Sequence, residues 1–130
     1  MRTFLATLLV LFLSIPTAMA GSLAGKGLWC PVIGDETNEL HRGYWFHNGG
    51  VEDRVFSYRI AGHDIAISHT VYREPGTSKI EIGSFIVIDR ETLQKTDPER
   101  TVQCYRINSQ PEIYQKLQDI IDAAKAKNKL

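Results

Sequence analysis

Between Ile80 and Arg90 the chain reads Ile-Glu-Ile-Gly-Ser-Phe-Ile-Val-Ile-Asp-Arg, and no other stretch limits the possible folds so tightly. It opens on apolar–polar alternation and then stays apolar at four successive positions, Phe85 to Ile88. Alternation marks a strand with one wet face, whereas an unbroken apolar run marks a strand covered on both. The pattern predicts one long strand over residues 80–89 that starts near a rim and ends inside, with another element lying over its second face.

Around it the chain is a succession of short strands and tight turns. A first strand is expected at residues 28–33, confined to an edge or bulge because Pro31 has no amide to donate. An aromatic strand follows at residues 43–47, and Asn48-Gly49-Gly50 offers the positive φ values of a hairpin turn. The return strand, residues 54–60, places Phe56, Tyr58 and Ile60 on one face and Val55, Ser57 and Arg59 on the other. Ala61-Gly62 turns the chain into a strand at residues 63–72, and Pro75-Gly76 turns it again. A short strand at 90–95 and a last one at 101–107, with Val102, Cys104 and Arg106 on one face, complete the set.

The period then changes. Ser109 and Glu112 have the spacing of a capping box, Pro111 fits a first helical turn, and Ile113, Leu117, Ile120, Ile121 and Ala124 form one helical face. The sequence thus predicts a mainly β fold with one α-helix. Its expected form is an antiparallel meander of six to seven strands closed into a small barrel or strongly curved sheet, with an amphipathic helix over residues 109–127 covering the late half of the 80–89 strand.

Both ends and the cysteines bear on compartment. Arg2, an apolar run of about twelve residues from Phe4 to Ile15, Pro16 and Ala18-Met19-Ala20 have the layout of a cleaved signal peptide over residues 1–20. The run is shorter than the roughly 20 apolar residues of a membrane span, so release without stable membrane insertion is expected, into the periplasm or outside the cell. Residues 21–130 then form a single small β-rich domain, with residues 21–27 trailing from it. The 15 basic and 15 acidic residues balance, and removal of Arg2 leaves 14 against 15, which gives no footprint for nucleic acid. Cys30 and Cys104 are the only cysteines, and in an oxidising compartment they are expected to form a disulfide joining the first strand to the last.

Chemistry is harder to read. Among the four histidines, His47, His63 and His69 are the metal candidates. His63 and His69 would lie about 20 Å apart along one strand, so a site would have to be built across strands. Ser68 and His69 are neighbours on a strand and point to opposite faces, which prevents a direct proton relay, and no nucleophile turn appears. No cofactor motif is present. The aromatic group offers a contact face instead: Tyr44, Trp45, Phe46 and Tyr58 with Arg59, assisted by Arg54 and Arg106. The function expected is a non-catalytic exported binding or inhibitor module acting on a partner, a protein or a small molecule, in the periplasm or outside the cell. The alternatives are a carrier of a small apolar ligand inside the barrel, or a histidine-based metal protein or weak hydrolase.

An exported small antiparallel barrel with one disulfide is similar in plan to periplasmic lysozyme inhibitors and to minimal lipocalin-like proteins, and Gly27-Leu28-Trp29 meets the lipocalin G-x-W pattern. The resemblance covers architecture and implies such a barrel. It carries no functional residue over to this chain.

Overall fold

The computed structural model describes residues 23–48 and 53–127. The expected signal peptide and the Gly49-Gly50 turn lie outside them. The described residues form nine strands: β1 Gly27–Cys30, β2 Arg42–Asn48, β3 Asp53–Ala61, β4 Asp64–Arg73, β5 Lys79–Ile82, β6 Ile86–Asp89, β7 Gln94–Thr96, β8 Thr101–Gln103 and β9 Tyr105–Ile107. Helix α1, Gln110–Lys127, follows. All pairings are antiparallel and the sheet runs in the order β8-β7-β6-β5-β4-β3-β2-β1-β9.

Nine strands stand where six to seven were expected because two of the expected strands each break in two. The 80–89 stretch is a hairpin, with Ile82 opposite Ile86 and Ile80 opposite Ile88. Gly83 turns it with φ of 58°, a conformation that side chains with a Cβ disfavour. Phe85, which the apolar run places inside, sits on the turn and is 73% exposed. Opposite charges face each other across the ladders, Arg73 with Glu81 and Lys79 with Asp89, and support the register. The second break is at Cys104. Residues 101–103 pair with β7, whereas residues 105–107 pair with β1. The two ends of the sheet are therefore consecutive in sequence, and the chain itself closes most of the barrel. Cys104 at that corner is disulfide-bonded to Cys30 on β1.

Strand alternation divides the apolar residues into two clusters. One fills the barrel and includes Leu28, Tyr44, Phe46, Val55, Tyr72, Ile80, Ile82, Ile88 and both cysteines. The other lies outside it, where Tyr58, Ile60 and Ile107 are covered by Ile113, Leu117 and Ile121 of α1, with Trp29, Trp45 and Phe56 at its margin. The helix was expected over the 80–89 strand. It packs chiefly on β2, β3, β4 and β9, because their outer face carries the large apolar residues while the outer side of the β5–β6 hairpin is half-polar. Gly43 permits this contact, since a Cβ there would collide with Ile113 Cγ2. At the helix start the Glu112 carboxylate accepts the Asn108 amide, and the Gln110 side chain donates to the Tyr58 hydroxyl.

Residues 23–26 do not trail away as expected. Leu23 is buried, Gly25 N–H donates to the Phe46 carbonyl and Phe46 N–H to that of Lys26. This segment folds under one end of the barrel.

Candidate functional site

That end of the barrel is formed by the start of β1, the end of β2, the start of β5, the turn after β6 and the end of β9. Between them lies a cavity of about 280 Å³. Leu23, Leu28, Phe46, Ile80 and Leu93 form its apolar wall. Lys26, Arg90, Arg106 and Asn108 stand at its polar rim, and no acidic side chain among the described residues lines it.

Each rim residue has a reason for its place. Arg106 lies directly across from Leu28 in the β1–β9 ladder, so it belongs to the row of side chains that faces the barrel interior. It forms no ion pair with any described residue, and neither does Lys26. Arg90 is held at 3.0 Å by Glu74, and its amide donates to the Ser78 carbonyl. Leu93 has φ of 62°, a left-handed conformation that costs a non-glycine residue about 1 kcal/mol or more. The turn compels it: Leu93 N–H donates to the Asp89 carbonyl and its own carbonyl accepts Cys104 N–H. The Asp89 carboxylate receives the amides of Thr92 and Glu91, and these bonds hold its pKa below the usual carboxylate value.

The opposite end of the interior is polar. Lys95 is the one buried charged residue among those described, at 4% exposure. Its ammonium lies 3.3 Å from the Tyr44 hydroxyl and 5.4 Å from the centre of that ring. Burial pulls the Lys95 pKa down to about 8, against the opposing pull of Asp97, and burial pushes Tyr44 up to about 12. Tyr72, also buried and near Asp53 and Glu74, is likewise raised to about 12. Since the unfolded chain holds the Lys95 proton up to pH 10.5, it binds more protons than the folded one between pH 8 and 10.5. Stability should therefore rise as pH goes from 8 towards 10, by about 1–2 kcal/mol once the opposing effect of the tyrosines is included, and fall from about pH 10 upward, where the unfolded tyrosines ionise first. Denaturant melts across this range measure it, and Lys95→Met should abolish the rise.

The expected contact residues do not share a face. Alternation along β2 sends Tyr44 and Phe46 into the barrel, at 1% exposure each, and Trp45 to the outer face. Tyr58 lies under α1, and Arg59 is exposed on the other face of β3. Arg54 is also exposed. Of the residues named from sequence, only Phe46 and Arg106 meet, at the cavity. The histidines are spread similarly. His47 and His69 each lie about 6 Å from the Phe56 ring, at 5.7 and 6.0 Å, and His63 sits in the β3–β4 turn. No group of three or more His, Cys, Asp or Glu side chains among the described residues is placed to hold a metal ion. His41 serves the structure: its Nδ1 accepts the Val32 amide, its ring stacks on Trp29, and burial lowers its pKa.

A wider hollow of about 430 Å³ between Pro31–Ile33 and β8 is an open surface depression with mixed lining. β4 is laddered to β5 at Tyr72 and Arg73, and Ile67 and Val71 are exposed on its outer face. The chain matches no family profile, no curated protein and no solved structure.

Proposed function

We propose that this chain is a non-catalytic exported binding protein that holds a small apolar or amphipathic molecule in the mouth of its barrel. The observation that carries this reading is the 280 Å³ cavity, walled by Leu23, Leu28, Phe46, Ile80 and Leu93 and open to water at a polar rim. Ligand sites are concave and mostly apolar, with a few placed polar groups, and commonly measure about 300–1,000 Å³. This one lies just under that range, so its ligand is small. The disulfide is compatible with the periplasm or the exterior as the place of action. A partner protein gripped by Tyr44, Trp45, Phe46, Tyr58 and Arg59 together has less support, because three of the five are interior.

Titration calorimetry with a series of neutral 1-alkanols tests the reading. Each methylene entering the cavity contributes about 0.8 kcal/mol, so affinity should rise about tenfold from hexanol to octanol and level off once the wall is covered. Absence of saturable binding, or affinity independent of chain length, would contradict it.

A further inference from the structure

We infer that the ligand carries a single anionic head, a carboxylate or a phosphate, seated against Arg106 and flanked by Lys26 and Arg90. The inference rests on the cavity being a ligand site and adds the chemistry of what enters it. The protein as a whole is electrically balanced, with 15 basic and 15 acidic residues. Lys26 and Arg106, which pair with no acid among the described residues, stand at one cavity beside an Arg90 that Glu74 already neutralises, a local excess that does not follow from a basic composition.

Their placement sorts them by role. Arg90 is already engaged by Glu74 at 3.0 Å, which fixes its guanidinium and leaves donors over. Lys26 stands on the segment that folds under the barrel. Arg106 lies across from Leu28 on an inward-facing row, where a barrel strand ordinarily places apolar side chains. It is nonetheless exposed to water, and it pairs with no acid among the described residues. A planar guanidinium offers parallel N–H donors that match a carboxylate or phosphate two at a time. Beside it, Leu28 and Phe46 belong to the apolar wall. A cation next to a short apolar wall suits a short-chain amphiphilic anion, and it disfavours an amphiphilic cation of the same length.

Four ligands with one octyl chain separate these possibilities: octanoate, octyl phosphate, octanol and octylammonium, each titrated into the oxidised protein at low and high salt. Charge-assisted bonding should make the better of the two anions bind at least tenfold more tightly than octanol. Octylammonium should bind more weakly than octanol. Raised ionic strength should weaken the anions and leave octanol nearly unchanged. Arg106→Gln should collapse the anion-to-alcohol ratio to within about threefold, and Arg106→Lys should keep part of it, since an ammonium is a point charge. Arg106 is exposed, so an unchanged melting temperature will show that both variants fold. Equal affinity for octanol and both anions, or a ratio insensitive to Arg106→Gln, would overturn the anionic head and leave the apolar site standing. Failure of all four to bind would overturn both.

Discussion

Replacing Leu117 by Asp should lower the free energy of unfolding by about 4 kcal/mol and the melting temperature by about 20 °C. Leu117 is completely buried, between Ile113 and Ile121 in the cluster that joins α1 to the outer face of the barrel. A carboxylate there would lose its water and gain no described cation in exchange, while the apolar contacts of the leucine would also be lost. Leu117→Met, which keeps volume and polarity, should cost less than about 1.5 kcal/mol. The pair of variants isolates the charge from the packing. A melting temperature unchanged by Asp would show that the helix is not docked as described.

Removing the disulfide should have an effect of similar size by another route. Cys30 and Cys104 are 74 residues apart in sequence, and releasing a loop of that length returns to the unfolded chain entropy worth about 4 kcal/mol. Both cysteines are fully buried in the barrel cluster, so the double variant Cys30→Ala/Cys104→Ala is preferable to serines, whose hydroxyls would need partners. Its denaturant midpoint, compared with that of the oxidised protein, should fall accordingly, and a reducing agent should reproduce the loss in the native chain. A difference below about 1 kcal/mol would mean that the corner at Cys104 holds without the bond.

Much of this architecture was legible because it depends on local period. Phe56, Tyr58 and Ile60 alternate as a strand requires, and Ile113, Leu117 and Ile121 recur as a helix requires. The isolated cysteine pair permitted a single intramolecular disulfide. What was not legible depends on where the chain departs from its period. In residues 80–89 the even positions Ile80, Ile82, Ile86 and Ile88 keep one parity through a three-residue turn, so a hairpin reads like a continuous strand. Gly83 followed by Ser84 was the signal that could have separated the two. At Cys104 no turn former marks the change of partner from β7 to β1. The landing place of α1 was missed because a helical face shows that it is buried but does not show against what.

The cavity was illegible for a further reason. Its walls come from residues 23, 25–28, 46, 80, 90, 93 and 106–108, which meet only when the barrel closes. One hint was present in the sequence. Arg106 shares its strand face with Cys104, and a cysteine that must reach the first strand looks inward, so a charge two residues on looks inward as well. Aromatic density drew attention to Tyr44 and Phe46 as a surface, where their burial makes them core.

Ligand binding at the barrel mouth is tested most directly by nuclear magnetic resonance of the ¹⁵N-labelled oxidised protein titrated with octanoate. Amide shifts should concentrate in residues 23–28, 90–93 and 106–108, and saturate together with a single affinity. Shifts concentrated instead at Ile67, His69 and Val71 on the outer face of β4, or no saturable shifts at all, would contradict it.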